Sequence, residues 1–397
     1  MGNSSSSSPL PQDLHVVIVG GGPAGLKVAL MLKGKCPFTL IDGRDGIHNN
    51  VAALRASVQA GFADYTFIPF SQMLSADNFK RGLVTSIDVR GKKVKVATHG
   101  NQDDEEEEIQ YTHLVLATGS SVPFPGKLPL DVSIEEGIAM YEKQYQEIRA
   151  ASSIVVIGGG AVGVELAGEI KTEFVEKDVT LVHSAKILIS PDLSDKVVKD
   201  ARKQLERLGV KLILGEKVSG LDEIPEHRTD EKFTVRTDRG AEIQADLVFR
   251  CTGNQTNSAA YADALCNSMN DKGQLKVNGY FEVEGCANVF AIGDCCDMNE
   301  TKMSYRAALN AESFVQNLIR EYQGKVRKPY TPRGPVMLVS IGRNGGVFQI
   351  SSLTFGAFAT KTVKSKDMFV GRFFKDRGLK APKIPTVNKD KSELKDM

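Results

Sequence analysis

The chain has 397 residues, 41% hydrophobic and 25% charged, enough for two or three domains of ordinary globular composition. A formal net charge of +1 supplies no global field for gathering nucleic acid, and no apolar run approaches the ~18 residues of a membrane span. The start, MGNSSSSSPLPQD, lacks an apolar core and basic residues, so it reads as neither secretory signal nor transit peptide. Cys36, Cys251, Cys266, Cys286, Cys295 and Cys296 show no C-x-x-C spacing, which points to a reduced, cytosolic compartment and no metal site.

In chain order, Met1-Gly2-Asn3-Ser4-Ser5-Ser6 matches M-G-x-x-x-[ST], making Gly2 a candidate for N-myristoylation. A flexible serine-rich start is the plainer reading of residues 1–13. One myristoyl chain holds a membrane only marginally, so a second attachment is required. The β-branched run Val16 to Val19 then delivers Gly20, Gly21, Gly22, Pro23, Ala24 and Gly25, a G-x-G-x-x-G fingerprint, with a helix predicted from about Pro23 to Lys33. Such glycines let the backbone turn tightly and approach a pyrophosphate, whose charge rests on the helix N-terminus. Phe38 to Ile41 predicts a second strand ending in Asp42, placed to accept ribose hydroxyls, although Asp42-Gly43 is also an ordinary turn.

Three strand-like segments follow: GLVTSIDV, KKVKVAT and YTHLVLA. The acidic run Asp103 to Glu108 reads as a solvated loop tip before the last of them. That strand ends at Ala117-Thr118-Gly119. Ile154 to Ile157 delivers a second fingerprint, with Gly158, Gly160 and Gly163 in the three positions. Two fingerprints, each between a strand and a helix, imply two dinucleotides, a flavin and a nicotinamide. Glu165 falls in the first turn of the following helix, where the helix dipole alone would account for it.

The next strand, Val179 to Val182, ends without the acid that would bond the NADH 2′-hydroxyl and repel the NADPH 2′-phosphate. His183 and Lys186 stand there instead, able to meet a phosphate or simply facing water. Use of both NADH and NADPH is expected. NVFAIGDC predicts a strand carrying Gly293 and Asp294 to its C-terminal end, and Val336 to Ile350 a hairpin about Asn344-Gly345. Beyond it, Lys361, Lys364, Lys366, Arg372, Lys375, Arg377, Lys380 and Lys383 interleave with Phe369, Phe373 and Phe374. That mixture suits an anionic membrane surface, or a solvated tail.

GGGPAG, LVLATGS, GGGAVGVE, RCTGN and VFAIGD, in this order, resemble the pyridine-nucleotide–disulfide oxidoreductase superfamily over residues 14 to about 325. The resemblance implies an α/β fold of two Rossmann-like dinucleotide-binding domains plus a small C-terminal α+β domain. The FAD domain would be discontinuous, 14–122 and 256–325, with the NAD(P)H domain 123–255 inserted. Residues 326–397 would form the C-terminal domain with a basic, membrane-facing tail. It also implies Gly293 and Asp294 at the flavin ribitol, and Thr118-Gly119 at the crossing between domains. Val84 would meet the adenine through its backbone, Gly253 would lie beside the cofactors, and Glu165 would project to the flavin–nicotinamide junction as the catalytic residue.

Disulfide-reducing members of that superfamily carry a close cysteine pair near the flavin. Here the corresponding segment is HNNVAALRASVQAG, and the adjacent Cys295 and Cys296 read as buried, inert thiols. Electrons would therefore pass from flavin directly to an external acceptor. HNNVAALRASVQAGFA, SIGRNGGVFQI and the glycine-led N-terminus resemble, more narrowly, an apoptosis-inducing-factor-like branch that reduces quinones.

This implies an NAD(P)H-dependent reductase of membrane-borne coenzyme Q (ubiquinone) and related quinones such as vitamin K. Its quinols would trap lipid radicals and suppress lipid peroxidation and ferroptosis. The protein would work on the cytoplasmic face of the plasma membrane and lipid droplets, with the cytoplasm and mitochondrial outer surface left open. Arg55 would contact the flavin, where the residues alone suggest a helix-surface salt bridge. The rivals are a respiratory type II NADH:quinone dehydrogenase and an apoptosis-inducing-factor-like DNA-binding redox switch. Only the C-terminal cluster offers phosphate contacts, so no more than weak, non-specific DNA binding is expected. The preferred quinone, a modified flavin ring, and the choice between monomer and homodimer stay open.

Overall fold

The computed structural model describes residues 10–11, 13–98, 106–225, 227–334 and 336–384. Gly2, the first half of the acidic run and the end of the basic tail lie outside the described residues. β1 (Val16–Val19), α1 (Pro23–Leu32) and β2 (Phe38–Asp42) form the first βαβ unit. Every residue of β1 is buried, as a parallel strand covered on both faces requires. The antiparallel pair β3 (Gly46–His48) and β4 (Phe67–Pro69) brackets the short α2 (Ala53–Ala56). β5 (Phe79–Asp88), β6 (Lys93–Thr98) and β7 (Glu106–Gln110) are antiparallel, and β8 (His113–Leu116) returns to pair parallel with β1.

Glu106, Glu107 and Glu108 therefore do not belong to a loop tip. They lie on β7 and pair with Lys95, Lys80 and Lys93. Lysines on β5 and β6 support an acidic edge that its own composition would not.

β9 (Ser120–Ser121) leads out of this sheet to α3 (Ile134–Ala150), which opens on a capping box between Ser133 and Glu136. The second sheet is built from β10 (Ser153–Ile157), α4 (Ala161–Glu173), β11 (Asp178–His183), α5 (Asp195–Arg207) and β12 (Val210–Leu214). The hairpin of β13 (Phe233–Arg236) and β14 (Glu242–Ala245) leads to β15 (Leu247–Arg250). The strand order is β12-β11-β10-β15, all parallel. β16 (Gln255–Thr256) pairs antiparallel with β9, so the chain leaves and returns at one place. β17 (Val289–Ala291) then joins β8, completing a seven-stranded order β17-β8-β1-β2-β5-β6-β7, and α6 (Ser304–Tyr322) packs on α1. Two Rossmann-like units result, the first assembled from segments on either side of the second.

The predicted hairpin is present as β18 (Val336–Ile341) and β19 (Gly345–Ile350), extended by an unpredicted strand, β20 (Leu353–Phe355). After it come α7 (Ala357–Thr360), a π-helical turn over Lys361–Ser365, and α8 (Val370–Lys375). Val339, Ile341 and Val347 join the core of the second unit. For Phe373 the reading as part of a membrane face is corrected here. Phe373 is buried, Phe369 and Phe374 are half-buried, and Lys364 among the basic residues is buried too. With Val370 these aromatics form one apolar helical stripe, and such a stripe packs inward. Among the described residues no helix is long and apolar enough to cross a membrane.

Candidate functional site

The two fingerprints fold into the same loop twice. Gly20, at the end of β1, has φ +104°, and a Cβ on it would lie 2.4 Å from the Ala117 carbonyl oxygen. A Cβ on Gly25 would lie 1.8 Å from the Gly20 carbonyl oxygen, whereas one on Gly22 would meet nothing within 4 Å. In the second loop Gly158 has φ +111°, and its Cβ would stand 2.6 Å from the Cys251 carbonyl oxygen. Gly163 would meet the Gly158 carbonyl oxygen at 1.8 Å, and Gly160 again faces open space. Each loop is thus closed inside by two glycines and open outside, where Gly22 and Gly160 cap α1 and α4. Neither helix has a side-chain cap or an acid in its first turn, which leaves the orphan N–H groups for an anion. Both cradles fit a dinucleotide pyrophosphate.

Behind the first cradle, the buried Asp42 accepts the Gly21 N–H at 2.6 Å. Arg44 donates to the same carboxylate through its backbone N at 2.9 Å, Nε at 3.0 Å and Nη2 at 3.1 Å. Val84 is buried at the β-bulge of β5, the strand beside β2. Gly119 has φ +71° and open space beyond it; Asn257 ties down this turn, bonding Thr118 O at 2.9 Å and Gly119 O at 3.1 Å. Asp294 accepts from Ser120 Oγ at 2.6 Å and from Lys127 Nζ at 3.4 Å. A Cβ on Gly293 would lie 3.4 Å from the Ala24 side chain, so the end of β17 abuts the first cradle. Gly253 has φ +81° and faces open space. Arg44, Ser120, Lys127 and Asn257 escaped the sequence reading, because no local spacing distinguishes them.

At the second cradle a Cβ on Gly159 would touch the His183 ring at 2.8 Å, so the imidazole lies against the loop. Burial lowers its pKa, opposed by a backbone hydrogen bond at Ile187. Lys186 is exposed, and no acid ends β11.

Glu165 lies past the first turn of α4, so the helix-dipole explanation falls away. Its Oε1 accepts the Ser340 N–H at 3.0 Å and the Lys364 ammonium, which also donates to Leu338 O at 3.3 Å. One turn on, Glu169 is clamped by Arg55, with Nη2 to Oε1 at 2.7 Å and Nε to Oε2 at 3.0 Å. Arg55 Nη1 also reaches Ser365 O at 2.6 Å. A further turn on, Glu173 meets Arg343 at 2.5 Å. Residues four apart share a helix face, so α4 presents a row of three carboxylates to three cations. One comes from α2 after the first cradle and two from the C-terminal domain. Arg55 is therefore no helix-surface residue. It is buried, and its ion pair joins the two units.

All six cysteines are free. Cys295 and Cys296 are buried, and burial pushes both thiols up, Cys296 to about 12. Neither is poised as a thiolate.

A family model for pyridine nucleotide-disulphide oxidoreductases matches residues 14–313. The chain is 42% identical over 374 residues to ferroptosis suppressor protein 1 of Taeniopygia guttata, covering 94% of this chain and 98% of that protein. To the Homo sapiens protein of the same name it is 43% identical over 363 residues, with 91% and 95% covered. The sulfide:quinone oxidoreductase of Aquifex aeolicus superposes with a TM-score of 0.73 at 19% identity over 93% of each chain, a likeness of fold alone. With both cradles in place and this similarity along nearly its whole length, the chain belongs to the pyridine nucleotide-disulphide oxidoreductase family and is an FAD- and NAD(P)H-dependent oxidoreductase.

Proposed function

We propose that this oxidoreductase is an NAD(P)H:quinone reductase, reducing coenzyme Q and related quinones at a membrane surface. One observation carries the reading. Two dinucleotide cradles share a molecule whose adjacent thiols, Cys295 and Cys296, are buried and held protonated, so no dithiol relay receives the electrons.

Bound FAD would supply the chemistry of accepting a hydride and releasing electrons onward. The protein's own work is placement. Gly20–Gly25 and α1 seat one pyrophosphate, and Gly158–Gly163 and α4 the other. Asp294, with Ser120 and Lys127, presents a carboxylate where β17 meets the first cradle, suited to ribitol hydroxyls. Val84 would meet the adenine through its backbone, and Gly253 would lie beside the cofactors. The Glu165–Lys364 pair ties α4 to the C-terminal domain at the joint of the two. A lipophilic quinol released into a membrane would trap lipid radicals and so suppress lipid peroxidation and ferroptosis. Myristoylation at Gly2, aided by exposed lysines of the C-terminal domain, would keep the protein on the cytoplasmic face of the plasma membrane and lipid droplets.

The test is NADH and NADPH oxidation by the purified flavoprotein, with a short-chain quinone set against a disulfide substrate. Quinone-dependent turnover is expected, lost in Gly160→Val with flavin retained, and lost together with flavin in Asp294→Ala. Unchanged quinone turnover in Gly160→Val would sink the site map. Flavin present without quinone turnover would favour a redox-switch role instead.

A further inference from the structure

The outer edge of the C-terminal domain leaves large apolar side chains in water. Leu353 is 63% exposed, Phe355 42%, Phe358 83% and Val363 46%. They fall on β20, α7 and the following π-helical turn, a continuous stretch of ordered backbone. Scattered single apolar residues on a surface need no explanation, but four on successive elements at one edge of a domain point to a contact face.

The exposed charges on this stretch itself are positive. Residues 350–366 contain no Asp or Glu and three lysines. Lys361 and Lys366 are exposed, whereas Lys364 turns inward to Glu165. Beside β20, a cleft of about 710 Å³ runs along α5, where Lys196, Lys199 and Lys203 are exposed. Asp195 and Asp200 line the same cleft, and Asp200 is engaged by Gln204 Nε2 at 3.0 Å. The face is therefore an apolar patch bordered by exposed lysines that outnumber the two acids of the cleft.

We propose that this face docks onto an anionic phospholipid bilayer. Phe358 and Leu353 would enter the boundary between headgroups and acyl chains, and the five exposed lysines would meet lipid phosphates. Such a surface rewards apolar insertion and positive charge together. A second copy of the chain fits less well, because a two-fold contact would set the lysines of one face against those of the other. The residues differ from the basic segment read in the sequence, whose Phe373 is buried and whose Phe369 and Phe374 are half-buried. For its purpose the docking rests on the quinone reading. The turn that faces lipid through Val363 faces Glu165 through Lys364, so a docked molecule would hold its α4 junction one turn beneath the lipid surface.

The experiment uses the full chain made without an acyl group, sedimented with vesicles of phosphatidylcholine alone or mixed with phosphatidylserine. The wild type is expected to bind the mixed vesicles, more weakly as salt rises. Phe358→Asp should weaken that binding roughly tenfold or more. Lys361→Glu combined with Lys366→Glu should remove the preference for phosphatidylserine. Both variants should oxidise NADH with a soluble short-chain quinone at the wild-type rate. Wild-type protein that ignores both vesicles, or variants that bind as it does, would overturn the proposal. So would a solution dimer that Phe358→Asp dissociates, since a second copy would then cover the face. Vesicle binding without soluble quinone turnover would retire the quinone reading and leave the docking; turnover without vesicle binding would do the reverse.

Discussion

At the first cradle an aspartate closes the loop from behind; at the second a histidine does. Asp42 takes the Gly21 N–H at 2.6 Å and is itself held by Arg44. The His183 ring instead lies against Gly159, without an acid at the end of β11. The glycines themselves hardly differ, down to the 1.8 Å that a Cβ on Gly25 or Gly163 would leave to the carbonyl ahead. The backbone is thus fixed by what any pyrophosphate demands, and the strand-end residue is free to set which nucleotide follows.

The sharpest way to break this parallel is to fill the two glycines in turn. Gly25→Ala and Gly163→Ala each push a methyl into backbone that cannot move aside cheaply. Gly25→Ala should abolish flavin retention, read as flavin absorbance per chain. Gly163→Ala should keep the flavin and raise the KM for NADH at least roughly tenfold, the loss expected when a bound group is misplaced. Equal flavin loss in both would show that the cradles do not serve separate nucleotides.

A second test asks what joins the two cradles. The Arg55–Glu169 pair is almost wholly buried, its side chains 3% and 1% exposed. Removing one partner of such a pair leaves an uncompensated charge and costs about 3–5 kcal/mol. Glu169→Ala should lower the thermal midpoint strongly. Glu173→Ala, which frees a half-exposed Arg343, should cost about 1 kcal/mol or less. Similar midpoints for the two variants would mean that the row on α4 is decoration.

That row also shows where the sequence stopped being readable. Both cradles were legible because a positive φ and a close carbonyl admit only glycine, and that demand is local. The glutamates at 165, 169 and 173 follow a visible helical spacing. Their partners do not: Arg55, Arg343 and Lys364 arrive from elements distant in the chain, and no periodicity names a partner across a domain boundary. The acidic stretch at Glu106–Glu108 misled for the same reason, since the lysines that neutralise it sit on other strands, β5 and β6. Phe373 misled because the basic residues near it in sequence, Arg372 and Lys375, are exposed while its own side chain is buried.

Acid should weaken the first half before the second. His48 is buried between Phe67 and Tyr141, and burial holds its pKa down to about 3. His113 on β8 is held down to about 4 by burial. A histidine depressed below its unfolded value near 6.5 contributes stability above that pH and loses it as pH falls, because only the unfolded chain takes up the proton. By about pH 5 His48 alone should remove about 2 kcal/mol. His48→Phe should flatten the fall of the thermal midpoint between about pH 6.5 and 4. His183→Phe, at a half-exposed site, should leave that slope almost as it was. Equal slopes in the two variants would place the acid sensitivity elsewhere.

The smallest effect bears most directly on the contrast between Asp42 and His183. His183→Asp would give the second cradle the acid that the first already has. A carboxylate at the end of β11 would accept a ribose 2′-hydroxyl and repel a 2′-phosphate, so selectivity should move towards NADH by on the order of tenfold in kcat/KM. The shift should come from NADPH losing ground, since repulsion of a multiply charged phosphate outweighs one added hydrogen bond to a partly solvated ribose. Raising the salt concentration should shrink it, because the edge at His183 and Lys186 is open to water. An unchanged ratio of the two nucleotides would mean that the 2′ position does not reach this strand end. The two cradles would then be alike in their glycines and unlike in where the ribose lies.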